Sequence, residues 1–135
     1  MLFRSERFAS SGGGSVYELP EQLRLNHWAL AGDWTIAPDK ILLDRAGGSI
    51  VYRYHARDAH LVLSCDTGEP IPFRVLVDGA VPGPSHGVDV DEDGTGVLRD
   101  GRLYQLLREA DAVRDRTLEI TFLEPGAEAY AFTFG

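Results

Sequence analysis

The strongest candidate for chemistry is an acidic run in the second half of the chain. Asp89-Val90-Asp91-Glu92-Asp93-Gly94 alternates carboxylates and ends on a glycine, and Asp100 follows at the twelfth position. Carboxylates at this spacing, with a glycine for the sharp turn, are typical of a Ca²⁺ loop. The usual terminal glutamate and flanking helices are missing, so an EF-hand is disfavoured. Two alternatives stay open: an acidic turn between strands, or a Ca²⁺ site of another geometry formed by Asp89, Asp91, Asp93 and Asp100.

Nucleophilic or imidazole-based chemistry has less support in the sequence. The four histidines lie far apart, and no two of them have a metal-binding spacing. They are His27, His55, His60 and His86. Cys65 is the only cysteine, so the chain can form neither an internal disulfide nor a C-x-x-C pair. No histidine can be identified as a base for Cys65. We predict no catalytic residue, and an independent hydrolase or metal-dependent enzyme is the least favoured function.

A ligand-binding surface is the second candidate site. Arg53 lies between Tyr52 and Tyr54, and Arg74 follows Phe73, so alternation along a strand turns both arginines away from the core. A sheet face that combines aromatic and polar side chains can hold a sugar or a peptide. The alternative is that these arginines belong to an ordinary solvent-exposed sheet face. The predicted ligand-binding residues are Trp28, Arg53, His55 and Arg74.

The sequence predicts that these residues are positioned by β-strands. Short runs of β-branched and aromatic residues recur between glycines, prolines and aspartates. The predicted strands span residues 22–30, 33–37, 40–44, 48–56, 60–65, 71–78, 96–99, 103–107, 117–123 and 129–134. One helical piece of a turn or two is expected within 106–113. So many strands in 135 residues predict an all-β fold, a two-sheet antiparallel β-sandwich around one core.

The composition of the chain limits which partners it can bind and indicates where its domain begins. A net charge of −8 opposes binding to nucleic acid or anionic lipid. No apolar run approaches the roughly 20 residues that cross a bilayer, and no signal-peptide core follows Met1. The run Ser10-Ser11-Gly12-Gly13-Gly14-Ser15 is typical of a flexible linker. We therefore expect a linker or lead-in over residues 1–16 and the β-sandwich domain over 17–135.

Six segments along the chain carry a family resemblance. They are LNHWALAGDW at 25–34, YRYHARD at 52–58, PFRVLVDG at 72–79, HGVDVD at 86–91, RLYQL at 102–106 and FLEPGAEAYAFTFG at 122–135. In this order they resemble the C-terminal domain of DipZ-like thioredoxin-family proteins, and the similarity extends from Ser5 onward. The resemblance implies a jelly-roll sandwich similar to carbohydrate-binding modules, attached after a thioredoxin-like domain that carries the redox cysteines.

The resemblance also implies a function and a location. The chain would be a noncatalytic accessory domain of a thiol–disulfide oxidoreductase that works in the periplasm or cell envelope, in a protein attached to the membrane. It would recognise a ligand or client protein, with carbohydrate as a hypothesis. The alternatives are a structural module that packs on the thioredoxin-like domain and a Ca²⁺-stabilised interaction domain. Recognition requires Trp28 to be exposed beside Arg53 or Arg74, whereas packing predicts an exposed apolar patch.

Overall fold

The computed structural model describes residues 14–135, and its regular structure is almost entirely β. The helical structure within that range is one three-residue 3₁₀ turn, Gly83–Ser85, and no helix there is long and apolar enough to cross a membrane. The ten strands are β1 Gly14–Tyr17, β2 Trp28–Ile36, β3 Ile41–Leu43, β4 Ser49–His55, β5 Asp58–Cys65, β6 Ile71–Val77, β7 Thr95–Leu98, β8 Arg102–Arg108, β9 Asp115–Phe122 and β10 Ala127–Phe134.

These strands form two antiparallel sheets that share β2. Sheet A contains β1, the second half of β2, β3, β10, β5 and β8. Sheet B contains the first half of β2, followed by β4, β9, β6 and β7. Because one half of β2 belongs to each sheet, this strand connects the two layers of the sandwich.

Gly32 is the point at which β2 passes from one sheet to the other. Its φ is +103°, and a Cβ on Gly32 would lie 2.8 Å from the Cα of Gly48. Only glycine tolerates both this conformation and this close approach without strain. The two predicted strands 22–30 and 33–37 were wrong here, because β2 continues through Gly32 instead of breaking there. Residues 22–27 lie outside any strand.

Aromatic side chains from the two sheets meet between them and confirm the predicted sandwich. The ring centroids of Tyr52 in β4 and Phe132 in β10 are 4.8 Å apart, and those of Phe73 in β6 and Tyr104 in β8 are 6.2 Å apart. Alternation along β4, β6 and β9 predicts which side chains point inward, and all of these side chains are buried. They are Ile50, Tyr52 and Tyr54 in β4, Ile71, Phe73, Val75 and Val77 in β6, and Leu118, Ile120 and Phe122 in β9.

The connection between β6 and β7, residues 78–94, passes along β8. The backbone N–H groups of Gly87 and Asp89 donate to the carbonyl oxygens of Leu106 and Gln105, at 2.9 and 3.1 Å. The helical prediction for 106–113 was wrong, because β8 continues to Arg108. The β5–β8 register shifts between Ala59 and His60, and at this bulge the adjacent Leu106 and Leu107 are both buried in the core.

The predicted linker lies largely outside the described residues. Its residues 1–13 fall there, whereas Gly14–Tyr17 form β1. In that strand Ser15 lies opposite Trp34 and Val16 opposite Asp33. Backbone pairing with β2 thus brings residues 14–16 into sheet A.

Candidate functional site

Both tryptophans belong to the core of the sandwich. Trp28 is 6% exposed and lies opposite the buried Tyr52 in the β2–β4 register. Trp34 is fully buried, and its Nε1 donates to the carbonyl oxygen of Ala31 at 2.9 Å. A ring that stacks on a ligand must present one face to solvent, so the prediction that Trp28 lines a ligand surface is corrected by its inward register.

The other three predicted residues lie on the outer face of sheet B. Arg53 and His55 are on β4 and Arg74 is on β6, with β9 between these strands. The register pairs Arg53 with Thr117 and Arg74 with Thr121. The two arginines are separated by two strand spacings across the sheet and by four residues along β9, so they lie about 16 Å apart. The structure therefore groups Arg53 with His55 and leaves Arg74 in separate surroundings.

Arg53 holds the segment before β2 against the sheet. Its Nη1 donates to the carbonyl oxygen of Leu23 at 3.1 Å, and its Nη2 lies 3.7 Å from Oδ2 of Asp115. The other carboxylate oxygen of Asp115 is 2.8 Å from Nδ1 of His55. The backbone of Arg53 also bonds to this segment, since its carbonyl accepts from Asn26 N–H at 2.7 Å. Arg53 thus fixes one wall of a depression on the sheet.

This depression is a cleft of about 480 Å³ between the outer face of sheet B and residues 19–24. Ala29, Val51, Arg53 and Thr117 contribute from the sheet, and Arg24 contributes from the segment. An apolar floor beneath convergent polar side chains is the usual composition of a small-ligand site. We call it the Arg53 cleft, and it is the candidate functional site.

Arg74 lies at a second, more apolar hollow near the β7 edge of sheet B. The hollow has a volume of about 490 Å³, and Pro72, Val97 and Leu123 contribute to its lining. Val97 is 38% exposed and Leu123 is 51% exposed. This hollow is an exposed apolar patch of the kind that the packing alternative requires.

Two carboxylates of the acidic run, those of Asp89 and Asp91, are hydrogen-bonded within the protein. Asp91 accepts hydrogen bonds from the N–H groups of Asp93 and Thr95, both at 3.0 Å, and from the Thr95 hydroxyl at 2.6 Å. The bonds from Thr95 lower the pKa of Asp91. Asp89 instead turns to β8, where it accepts from Arg102 at 2.8 Å and from the Gln105 N–H at 2.7 Å.

This arrangement has the geometry of a capped turn. Burial pushes the pKa of Asp89 upward, but the bonds from Arg102 and Gln105 outweigh it and lower that pKa. Over residues 14–135, no group of three or more His, Cys, Asp or Glu side chains could hold a metal ion. The structure therefore does not gather Asp89, Asp91, Asp93 and Asp100 into one ligand set.

Sequence reasoning missed a polar network on the outer face of sheet A. Lys40 Nζ bonds to Oε2 of Glu128, and the Ser64 hydroxyl donates to Oε1 of Glu128 at 2.9 Å. The Tyr130 hydroxyl lies 2.9 Å from Ser64 Oγ. We call these four residues the Tyr130 network. Glu128 and Tyr130 alternate with alanines in β10, a signal that could have placed both on an outer face.

Comparisons with known proteins give a family and a fold. A family model described as the thioredoxin-like C-terminal domain matches residues 2–135, and no curated protein matches the sequence. The fold resembles part of a family two carbohydrate esterase from Cellvibrio japonicus (TM-score 0.57, 12% identity, 79% of this chain and 30% of that chain). It also resembles one from Clostridium thermocellum in complex with cellohexaose (TM-score 0.55, 14% identity, 73% and 28%). This chain thus spans less than a third of either esterase, and the likeness shows a shared sandwich fold.

Proposed function

Because this chain belongs to the thioredoxin-like C-terminal domain family, we propose that it is a noncatalytic accessory domain that recognises a ligand in the Arg53 cleft. The family description implies a companion thioredoxin-like domain. Cys65 is the only cysteine, and its thiol donates to the carbonyl oxygen of Glu69 at 2.8 Å. Dithiol chemistry needs a second cysteine, so we assign it to the companion domain of a thiol–disulfide oxidoreductase. We further propose that the protein works in the periplasm or cell envelope, where disulfides persist.

The composition of the cleft supports a hydroxyl-rich ligand. A sugar ring presents apolar C–H groups on its faces and hydroxyls at its edges. Ala29 and Val51 can contact the former, while Arg24 and Arg53 can donate to the latter. A net charge of −8 disfavours polyanions, so we propose a neutral carbohydrate. The esterase from Clostridium thermocellum, which shares the fold, was solved with cellohexaose.

Calorimetric titration of the 135-residue chain with cellohexaose and chitohexaose tests this proposal. Arg53→Gln removes a charged donor and should weaken binding about tenfold or more, since such a bond contributes about 1.5–3 kcal/mol. Arg74→Gln is the matched control on the same face and should bind as the unmodified chain does. Because Arg53 also holds Leu23, Gln22→Ala at the rim provides a second variant. Equal affinity in all variants, or no binding of either sugar, contradicts the proposal.

A second candidate function is packing against the companion domain, which the hollow at Val97 and Leu123 favours. Both side chains are exposed and apolar, and Pro72 lies beside them in the same hollow. In the two-domain protein, Leu123→Asp should separate the domains and increase the radius of gyration measured by X-ray scattering. Sugar binding at the Arg53 cleft should not change. An unaltered radius would count against packing at this hollow.

A further inference from the structure

We propose that the outer face of sheet A carries a second carbohydrate subsite, centred on the ring of Tyr130. This inference rests on the proposed function, because it names the same class of ligand. It uses other residues, however, on the opposite face of the sandwich. The Arg53 cleft and the Tyr130 network lie on different sheets, so each can be tested without altering the other.

The first support is the placement of the tyrosine ring. Among residues 14–135, every aromatic side chain is buried except Tyr130 and Phe134, which are half-buried. Phe134 stacks on Tyr54 with ring centroids 5.2 Å apart and so contributes to the core. Tyr130 lies instead where the β10–β5 register shifts between Ala129 and Ala131. Alternation from Glu128 turns Tyr130 toward the outer face, and the shift leaves Tyr130 without a register partner in β5.

The second support is the fixed orientation of that ring. Ser64 donates to Glu128, which leaves the Tyr130 hydroxyl as the donor to Ser64. Glu128 is only 8% exposed, and it pairs with Lys40. The hydrogen bond to Glu128 raises the pKa of Lys40, so the ammonium stays charged. A tyrosine held by a bonded chain loses little freedom on binding, which is the advantage of a preorganised site.

The third support is the set of groups around the ring. Val62 of β5 lies opposite both Ala131 of β10 and Leu103 of β8, and Leu103 is 38% exposed. These side chains extend the apolar surface beside the ring. Lys40, with 33% of its side chain exposed, has three N–H donors, of which Glu128 takes one. The face therefore offers apolar contact for the C–H side of a sugar and a charged donor for its hydroxyls.

An NMR titration of the ¹⁵N-labelled chain with cellohexaose, chitohexaose and xylohexaose tests the subsite. We expect amide shifts at Val62, Leu103 and Tyr130. Tyr130→Ala should weaken this binding about tenfold, or about 1.4 kcal/mol, because it removes the apolar ring on which the C–H face of the sugar would pack. Tyr130→Phe is the matched control that keeps the ring, and it should retain affinity within about threefold.

The outcomes separate this inference from the proposed function. Shifts confined to the Arg53 cleft, with no effect of Tyr130→Ala, overturn the second subsite and leave the cleft intact. Shifts confined to sheet A, unaffected by Arg53→Gln, support the subsite and contradict the cleft. No shift with any of the three sugars overturns both. Should Tyr130→Ala unfold, Ser64→Ala keeps the ring but releases its hydroxyl, and we expect an intermediate loss of affinity; unchanged affinity contradicts the inference.

Discussion

Replacing Gly87 with alanine should detach the β6–β7 connection from β8. A Cβ at Gly87 would lie 2.2 Å from the carbonyl oxygen of Gln105, which is backbone and cannot rotate aside. Displacement would break the bonds from Gly87 N–H to Leu106 and from Asp89 N–H to Gln105, at about 1 kcal/mol each. It would also weaken the bond from the Gln105 N–H to the Asp89 carboxylate, and a hydrogen bond to a charged group contributes about 1.5–3 kcal/mol. We expect a loss of about 3 kcal/mol in the free energy of unfolding.

Gly83→Ala is the matched control because Gly83 lies in the same connection. Its φ is +55°, but a Cβ there would meet nothing within 4 Å, so only backbone strain of about 1 kcal/mol is expected. Urea unfolding measures both free energies. Hydrogen exchange should show faster exchange of the Gln105 amide in Gly87→Ala alone, with β4 and β9 unchanged. If Gly87→Ala costs no more than Gly83→Ala, the connection does not depend on this close approach.

Two further predictions concern ions and pH. Millimolar Ca²⁺ or EDTA should leave the melting temperature unchanged, because Asp89 and Asp91 are already bonded within the protein; a Ca²⁺-dependent rise would show that a site forms. The melting temperature, measured as a function of pH, should also have a maximum near pH 5–6. Burial raises the pKa of Glu109, but the Asp111 amide and the nearby arginines outweigh burial and lower this pKa. The stabilisation by Glu109 is therefore complete above its ordinary pKa of 4.5 and is lost as pH falls through the lowered value. Two backbone carbonyls raise the pKa of His86, so its stabilisation is present below its ordinary 6.5 and is lost as pH rises through the raised value. Glu109→Gln should make the acid limb shallower, and Asp89 and Asp91, whose pKa values are also lowered, should account for the rest of it. His86→Gln should flatten the alkaline limb. An unaltered profile in both variants would contradict these assignments.

The strands with clear alternation were predictable because a period of two is a local property of the sequence. The prediction for 71–78 differs by one residue from the observed Ile71–Val77. Local reasoning failed where long-range contacts decide the structure. A glycine such as Gly32 usually predicts the end of a strand, yet here β2 continues through Gly32 and changes sheets, with Gly48 packed against it. Leu106 and Leu107 are adjacent, so strict alternation would bury only one of them, yet a shift in the β5–β8 register buries both in the core.

The same distinction applies to the candidate sites. Alternation alone is enough to orient Arg53 away from Tyr52 and Tyr54, and the structure has this orientation. Trp28 depends instead on its register with Tyr52, which neither strand's sequence specifies. The Tyr130 network likewise joins residues before β3, in β5 and in β10, and Ser64 and Tyr130 are 66 positions apart. No local pattern can bring such residues together.

The proposed recognition and packing functions are compatible in this fold because they would use separate surfaces. In sheet B the strand order is β7, β6, β9, β4, so the hollow at Val97 and the Arg53 cleft are at different ends of one face. A companion domain placed at Val97 and Leu123 can leave the cleft open, and it need not approach sheet A. Variants at Leu123, Arg53 and Tyr130 should therefore act independently, with additive effects. Strong coupling between Leu123 and Arg53 in the two-domain protein would instead mean that the companion domain extends over the cleft.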